Sequence, residues 1–248
     1  MKYFLLFFLL LTPQMVLAGT RDPEVPDEKY VEYAKDFHCI GKLCGLTSDK
    51  KMYCASAVAI KPRWIITAAH VVLNSKKCTL KINDKEITIS KIVTHEKFNE
   101  NKFGEYDIAL GKCDSNIELK FYPELYNKED EVDKICCMSG FGLHGTFNTG
   151  AKKSDNLKRA GSNFIDKIDR HLLICSPSIS KKKTSLEFLI ASGDSGGGLF
   201  IDNKLAGINS CVLSDQGSAP DSSYGDESGH TRISIFKEWI IENTRTEE

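Results

Sequence analysis

A chain of 248 residues, 41% hydrophobic and 27% charged, can fill one sizeable core or two small ones, which excludes a disordered or fibrous protein. Its 33 Lys and Arg against 34 Asp and Glu leave no bulk field to attract nucleic acid or an anionic membrane. Basic runs such as Lys181-Lys182-Lys183 are expected to be solvated loop.

In chain order, Met1-Lys2 and the unbroken apolar run from Tyr3 to Leu11 lead through Pro13 to Val16-Leu17-Ala18. That pattern predicts a secretory signal over 1–18, too short to span a bilayer, with cleavage after Ala18. No Cys follows the cleavage site, so the expectation is an extracellular or periplasmic protein with no membrane anchor after cleavage. Residues 19–52 are polar at first, carry Pro23 and Pro26, and are expected to form an N-terminal arm with a short helix over 27–37.

From Tyr53 the pattern changes to short apolar runs broken by turn residues. Runs at 57–60, 64–68, 79–82, 86–93, 108–111, 135–139, 171–175, 198–201 and 204–209 suit strands. Asp202-Asn203 is a two-residue hairpin signal between the last two. Segments 140–163 and 212–231, rich in Gly, Ser and Asp, are expected as surface loops. Ile233, Phe236, Trp239, Ile240 and Asn243 recur at helical spacing and predict one closing amphipathic helix. The reading is all-β with a C-terminal α-helix, in one domain over 53–248.

All nine cysteines lie beyond the signal and read first as disulfide partners in an oxidising compartment; nine being odd, at least one is left over. No C-x-x-C pair and no zinc spacing occur, and no Gly loop with Lys cradles a phosphate. The expected cofactors and metals are none, and a nucleic-acid partner has no support.

Three short motifs carry chemistry. Gly193-Asp194-Ser195-Gly196-Gly197 sets a serine among glycines, where a sharp turn exposes its oxygen and lets backbone N–H groups converge. Thr67-Ala68-Ala69-His70 ends an apolar run with small residues that leave room around an imidazole. Tyr106-Asp107-Ile108-Ala109-Leu110 puts a carboxylate at the head of an apolar strand. Together they supply what acyl transfer needs: a nucleophile, a base, a carboxylate to orient it, and amides for the oxyanion.

In the order His, Asp, Ser along a β-rich chain, these motifs resemble the chymotrypsin/trypsin-like serine proteases. Cys136 to Gly142, Leu205 to Ser210 and the Trp239-Ile240 helix are similar to further segments of that family. The resemblance implies two six-stranded antiparallel β-barrels with a site in the cleft between them, and a monomer acting on a protein or peptide substrate. It implies His70, Asp107 and Ser195 as catalytic residues and the Gly193 and Ser195 amides as oxyanion hole. It also implies Asp194 as partner of the mature N-terminal amine, and Leu189, Ser210 and Val212 as substrate-binding positions.

The chain departs from the family at several points. A basic residue before Ile-Val-Gly-Gly is absent, so the expectation is that signal cleavage itself frees the pairing amine, at Gly19 or Thr20. Val71 follows His70 where many relatives have Cys, so Cys54 is expected to pair elsewhere, Cys78 being one candidate. Ala191 replaces a common cysteine, and Cys211-Val212 stand where a Trp-Gly pair often lines the cleft. With Leu189 at the family's pocket floor, the expected preference is for apolar or small residues.

Two other readings compete. An α/β-hydrolase esterase also uses G-x-S-x-G, but it needs Asp and His after the serine and a helix directly behind it. Only His230 follows Ser195, and a strand, not a helix, is expected next. A catalytically silent binding protein on a protease scaffold would be marked by loss of the triad, and all three members are present.

Overall fold

The computed structural model describes residues 19–245 apart from 103, 154, 179–182 and 215–218; the expected signal over 1–18 lies outside them. The N-terminal part holds β1 (Thr20–Arg21), α1 (Asp27–Tyr33) with a 3₁₀ turn over Ala34–Asp36, β2 (Ile40–Thr47), β3 (Met52–Lys61) and β4 (Trp64–Thr67). It continues with α2 (Ala69–Val72), β5 (Ser75–Ile82), β6 (Lys85–Thr94) and β7 (Ala109–Cys113). Strands β2-β3-β4-β7-β6-β5 close into an antiparallel barrel.

Two-residue alternation explains how the barrel serves two cores. On β3, Ala57 and Ala59 point into the barrel with Leu43, Ile65 and Leu80. Val58 and Ile60 point outward, into a seam shared with Ile66, Leu110, Phe200, Ile208 and the closing helix.

The second half contains β8 (Ile135–Gly140), β9 (His144–Thr146), β10 (Gly150–Lys153), β11 (Arg159–Phe164), β12 (Lys167–Asp169) and β13 (Leu172–Cys175). After these come β14 (Phe188–Leu189), β15 (Gly198–Ile201), β16 (Lys204–Ser214), β17 (Asp226–Arg232) and α3 (Lys237–Asn243). Here the strands run β11-β8-β15-β16-β17-β13-β12 as a seven-stranded sheet, with a four-stranded sheet β10-β9-β1-β14 beside it. The architecture is mostly β, with a closed six-stranded barrel, a second large sheet and a C-terminal helix. The two end strands of the large sheet, β11 and β12, do not pair, so the second half is not closed by hydrogen bonds as the first is.

Several local expectations change. The segment expected as an arm supplies β2, a full barrel strand that buries Ile40 and Leu43, and β1, which pairs with both β9 and β14. The segment 140–163 contains β9, β10 and β11, and 212–231 contains the end of β16 and the start of β17. Small residues made β11 look like loop, yet they let it press on its neighbour: a Cβ at Gly161 would lie 2.3 Å from Phe188 Cβ. Cys54 pairs with Cys44, directly opposite on β2, and Cys78 contacts the Tyr53 hydroxyl instead. Within the basic run, Lys183 is not merely solvated, because its Nζ pairs with Asp22 Oδ2 at 2.6 Å. The Asp202-Asn203 turn joins β15 to β16 with both residues at positive φ.

Candidate active site

The seam between the two halves assembles the chemistry-bearing motifs. β4 ends at Thr67, Ala68 stays extended, and the single turn α2 presents His70. Ala68 and Ala69 are fully buried, so their small size allows the chain to turn directly on the core. Tyr106, at φ 53°, bends the backbone just before Asp107 and β7. A non-glycine residue in this region is strained, and here the bend delivers the carboxylate to the imidazole.

Asp107 is 3% exposed and fully engaged. Its Oδ1 accepts the His70 backbone N–H at 2.9 Å, and its Oδ2 lies 2.7 Å from His70 Nδ1. The Ser210 hydroxyl donates to the same Oδ2 at 2.6 Å, and Thr231 Oγ1 donates to the Asp107 carbonyl at 3.0 Å. Burial alone would raise the Asp107 pKa, but the bonds from His70 and Ser210 outweigh it and hold the carboxyl below its ordinary value. An ionised Asp107 makes Nδ1 the protonated nitrogen of a neutral His70, leaving Nε2 as the acceptor.

Ser195 sits in a turn fixed from several sides. Its carbonyl accepts the Ser56 N–H at 2.9 Å, and the Ser56 hydroxyl donates to the Gly193 carbonyl at 3.0 Å. The Gly196 N–H donates to Asn209 O, and the Asn209 N–H returns to Gly197 O, both at 2.8 Å. Gly196 is at φ 83°, and a Cβ there would lie 2.0 Å from Thr67 Oγ1 and 2.2 Å from Ser56 O. No other residue fits that approach. Leu143 N–H donates to Ser192 O at 2.7 Å, so the trans 192–193 peptide turns the Gly193 N–H to the opposite side. Among the described residues, neither the Gly193 nor the Ser195 N–H has a protein acceptor.

Asp194 is fully buried behind this turn. Its Oδ2 accepts the Gly19 N–H at 2.7 Å and the Ala191 N–H at 2.9 Å, and its Oδ1 accepts the Gly142 N–H at 2.8 Å. Burial pushes its pKa up to about 6 against these three donors. β1 holds Gly19 in place: Thr20 pairs with Leu189 and Gly145, and its hydroxyl donates to Ser222 O at 2.6 Å. A Cβ at Gly19 would collide with the Phe188 ring at 1.8 Å.

His70 and Ser195 both line a cleft of about 480 Å³, together with Asp107, Ser210, Val212 and Asp221. They also border a second cavity of about 320 Å³, on the side of Gly193, Tyr53 and Cys54. Leu189 is corrected: it is fully buried and paired with Thr20, and the adjacent Ile190 and Ala191 line the cleft in its place. His230 serves no esterase site. Its Nδ1 lies 2.9 Å from Asn209 Oδ1 and its Nε2 2.9 Å from Ser228 Oγ, and burial pushes its pKa down to about 3.

Among the described residues one group has metal-ligand character, Asp27, His144 and Asp155. Its carboxylates are already held by the buried guanidinium of Arg159, at 2.9 Å to Asp27 Oδ1 and 2.6 Å to Asp155 Oδ2. The sequence reading missed Ser56, Gly142 and the bond from Ser210 to Asp107. Only Ser56 had a visible signal, a lone hydroxyl inside the apolar run 55–60.

A family model described as Trypsin matches residues 34–240. Human kallikrein-4 is 24% identical over 212 residues, covering 79% of this chain and 79% of its own. Mouse kallikrein-8 is 25% identical over 218 residues, covering 79% and 78%. A trypsin of Simulium vittatum is 26% identical over 180 residues, covering 63% and 69%. Of solved structures, neuropsin, a serine protease expressed in the limbic system of mouse brain, overlays with a TM-score of 0.67 at 20% identity. The overlay covers 92% of this chain and 99% of neuropsin. HL collagenase overlays with a TM-score of 0.69 at 20% identity, covering 86% and 95%. The structural likenesses establish the fold, and the family model, which spans most of the sequence, places the chain in the trypsin family of serine proteases.

Proposed function

We propose that the protein is a secreted serine endopeptidase that cleaves protein or peptide substrates through an acyl-enzyme. In this reading Ser195 Oγ attacks the scissile carbonyl while His70 Nε2 takes its proton. Asp107 keeps the imidazole in the required tautomer and stabilises its cation. The Gly193 and Ser195 N–H groups bind the oxyanion, His70 returns the proton to the leaving amine, and water then releases the acyl group by the same route. The observation that carries the reading is the 2.7 Å contact of His70 Nδ1 with Asp107 Oδ2, made in the cleft that Ser195 lines.

Maturation follows from Asp194. Cleavage after Ala18 would turn the Gly19 amide into an ammonium 2.7 Å from a buried carboxylate. The added charge lowers the Asp194 pKa and locks the 192–195 turn, so signal removal and activation are one event.

With Leu189 outside the cleft, the case for an apolar or small substrate side chain loses its basis. Ile190, Ala191 and Val212 suit an apolar stem, and the exposed Asp221 carboxylate beside them suits a cationic tip. Lys or Arg is then the expected residue before the cleaved bond, and a peptide-library profile depleted in both contradicts this assignment.

Turnover of a general protein substrate by the mature chain, with Ser195→Ala as control, tests the activity. Turnover that vanishes in the variant is expected. Turnover equal in both, or absent from the correctly folded mature chain, overturns the reading; its absence favours a silent binding protein on this scaffold.

A further inference from the structure

We propose that Cys136 and Cys175 form a second disulfide, one that closes the second half of the molecule covalently where hydrogen bonds leave it open. Cys136 lies on β8, second in the seven-stranded sheet, and Cys175 ends β13, the sixth strand. Strands β15, β16 and β17 separate them along the sheet, yet their sulfurs are 3.7 Å apart and both residues are fully buried. The sheet therefore curls until its two sides meet across the interior at this pair. Bond formation needs the sulfurs to close from 3.7 Å to ~2.05 Å, by rotation about the Cα–Cβ bonds. Among the described residues no other pair of the remaining thiols is in hydrogen-bond contact.

The segment that the bond would close, from 136 to 175, carries Gly142, whose N–H holds Asp194, and Leu143, whose N–H turns the 192–193 peptide. It also carries Asp155 and Arg159, which tie that segment to α1. A covalent link at its base restrains the donors that shape the oxyanion turn.

The reaction is an exchange with a disulfide donor of the glutathione class. One thiolate attacks the donor's sulfur and expels a thiol; the second thiolate then attacks the mixed disulfide and expels the other. Cys136 and Cys175 lose two protons and two electrons, and the donor gains them as two thiols. Burial pushes the Cys175 thiol well up, so the exchange belongs to folding, before the core shuts. The inference rests on the secretory reading only for where the donor is met.

The test is peptide mapping of the full mature protein, denatured without reductant, alkylated with iodoacetamide and digested, with Cys137→Ser alongside to remove the adjacent thiol. The expected result is a Cys136–Cys175 linked peptide beside the Cys44–Cys54 one. Alkylation of both Cys136 and Cys175 while Cys44–Cys54 stays intact overturns the proposal. If all four are alkylated, the sample has met no oxidant, which counts against secretion. Refolding it with glutathione disulfide then decides the pairing, a link supporting the proposal and alkylation of both thiols overturning it. A second readout uses the Cys44→Ala, Cys54→Ala background. There dithiothreitol should lower the melting temperature by several degrees, and adding Cys136→Ala and Cys175→Val should abolish that drop. No drop in the background protein overturns the proposal equally.

Discussion

The two halves of the molecule are built on different principles. The first is a closed barrel whose interior is aliphatic, with every strand paired on both sides, and it contributes His70 and Asp107. The second is an open sheet that contributes the Ser195 turn. It is tied to its surroundings by buried polar locks: Asp194 with Gly19, Gly142 and Ala191; Arg159 with Asp27 and Asp155; Arg232 with Glu131. The proposed base, His70, is held by a closed barrel and is in place whenever the barrel is folded. The proposed nucleophile turn is held by polar locks and depends on each partner being there; one partner is the Gly19 backbone nitrogen, 2.7 Å from Asp194 Oδ2. The difference makes one half a fixed platform and the other a conditional one.

The largest effect expected from breaking the comparison is chemical. Ser195→Ala and Asp107→Asn should each lower kcat/KM by ~10⁴-fold or more, one from each half, while the melting temperature moves little for Ser195→Ala. Steady-state kinetics beside calorimetry checks both.

Next comes the lock on Asp194, which the proposed signal cleavage would charge. Asp194→Asn should lower activity by ~10²- to 10³-fold, the magnitude of a lost oxyanion donor, with KM less affected than kcat. The barrel should keep its hydrogen-exchange protection; loss of protection in β3 and β4 would mean the halves are not separable in this way.

Arg159→Met removes the buried cation between Asp27 and Asp155 and leaves these partly buried carboxylates only the Arg21 and His144 side chains, at 3.2 Å and 3.5 Å, as ionic partners among the described residues. Breaking a buried pair by deleting one partner costs about 3–5 kcal/mol, and chemical denaturation measures it. The loss should loosen α1 and the 142–159 segment before it reaches the barrel, since every partner of Arg159 lies outside the barrel strands.

The smallest effect concerns pH. Burial pushes Glu187, next to β14, up to about 7 from an ordinary 4.5, and one of its carboxyl oxygens has no hydrogen-bond partner among the described residues. The folded chain thus binds this proton more tightly than the unfolded chain does. Its contribution is complete below about 4.5 and is lost as pH rises through 7. Glu187→Gln should flatten the fall of melting temperature over that window, and an unchanged slope contradicts the assignment.

What could be read in advance follows from range along the chain. His70, Asp107 and Ser195 each sit in a contiguous motif whose small or apolar neighbours announce it, and the Asp202-Asn203 turn and closing helix are equally local. β2 was hidden because it follows polar residues and carries Gly41, Lys42 and Gly45 among its apolar ones, although its partner β3 begins only a few residues on. β11 was hidden because the glycine and serine that suit a loop also suit a strand pressed on Phe188. Leu189 was misplaced because position counted back from Ser195 does not say which way a side chain faces; it is fully buried, and Ile190 and Ala191 line the cleft. The bonds of Ser210 to Asp107 and of Arg159 to Asp27 join residues more than 100 apart, and no local pattern encodes them.

The most direct test of the conditional half compares two chains, one beginning at Gly19 and one retaining Ala18, each exposed to a fluorophosphonate. The account predicts labelling at Ser195 only in the chain that begins at Gly19, where the free amine can reach Asp194. Equal labelling of both chains, with Ser195 the modified residue in each, would contradict it.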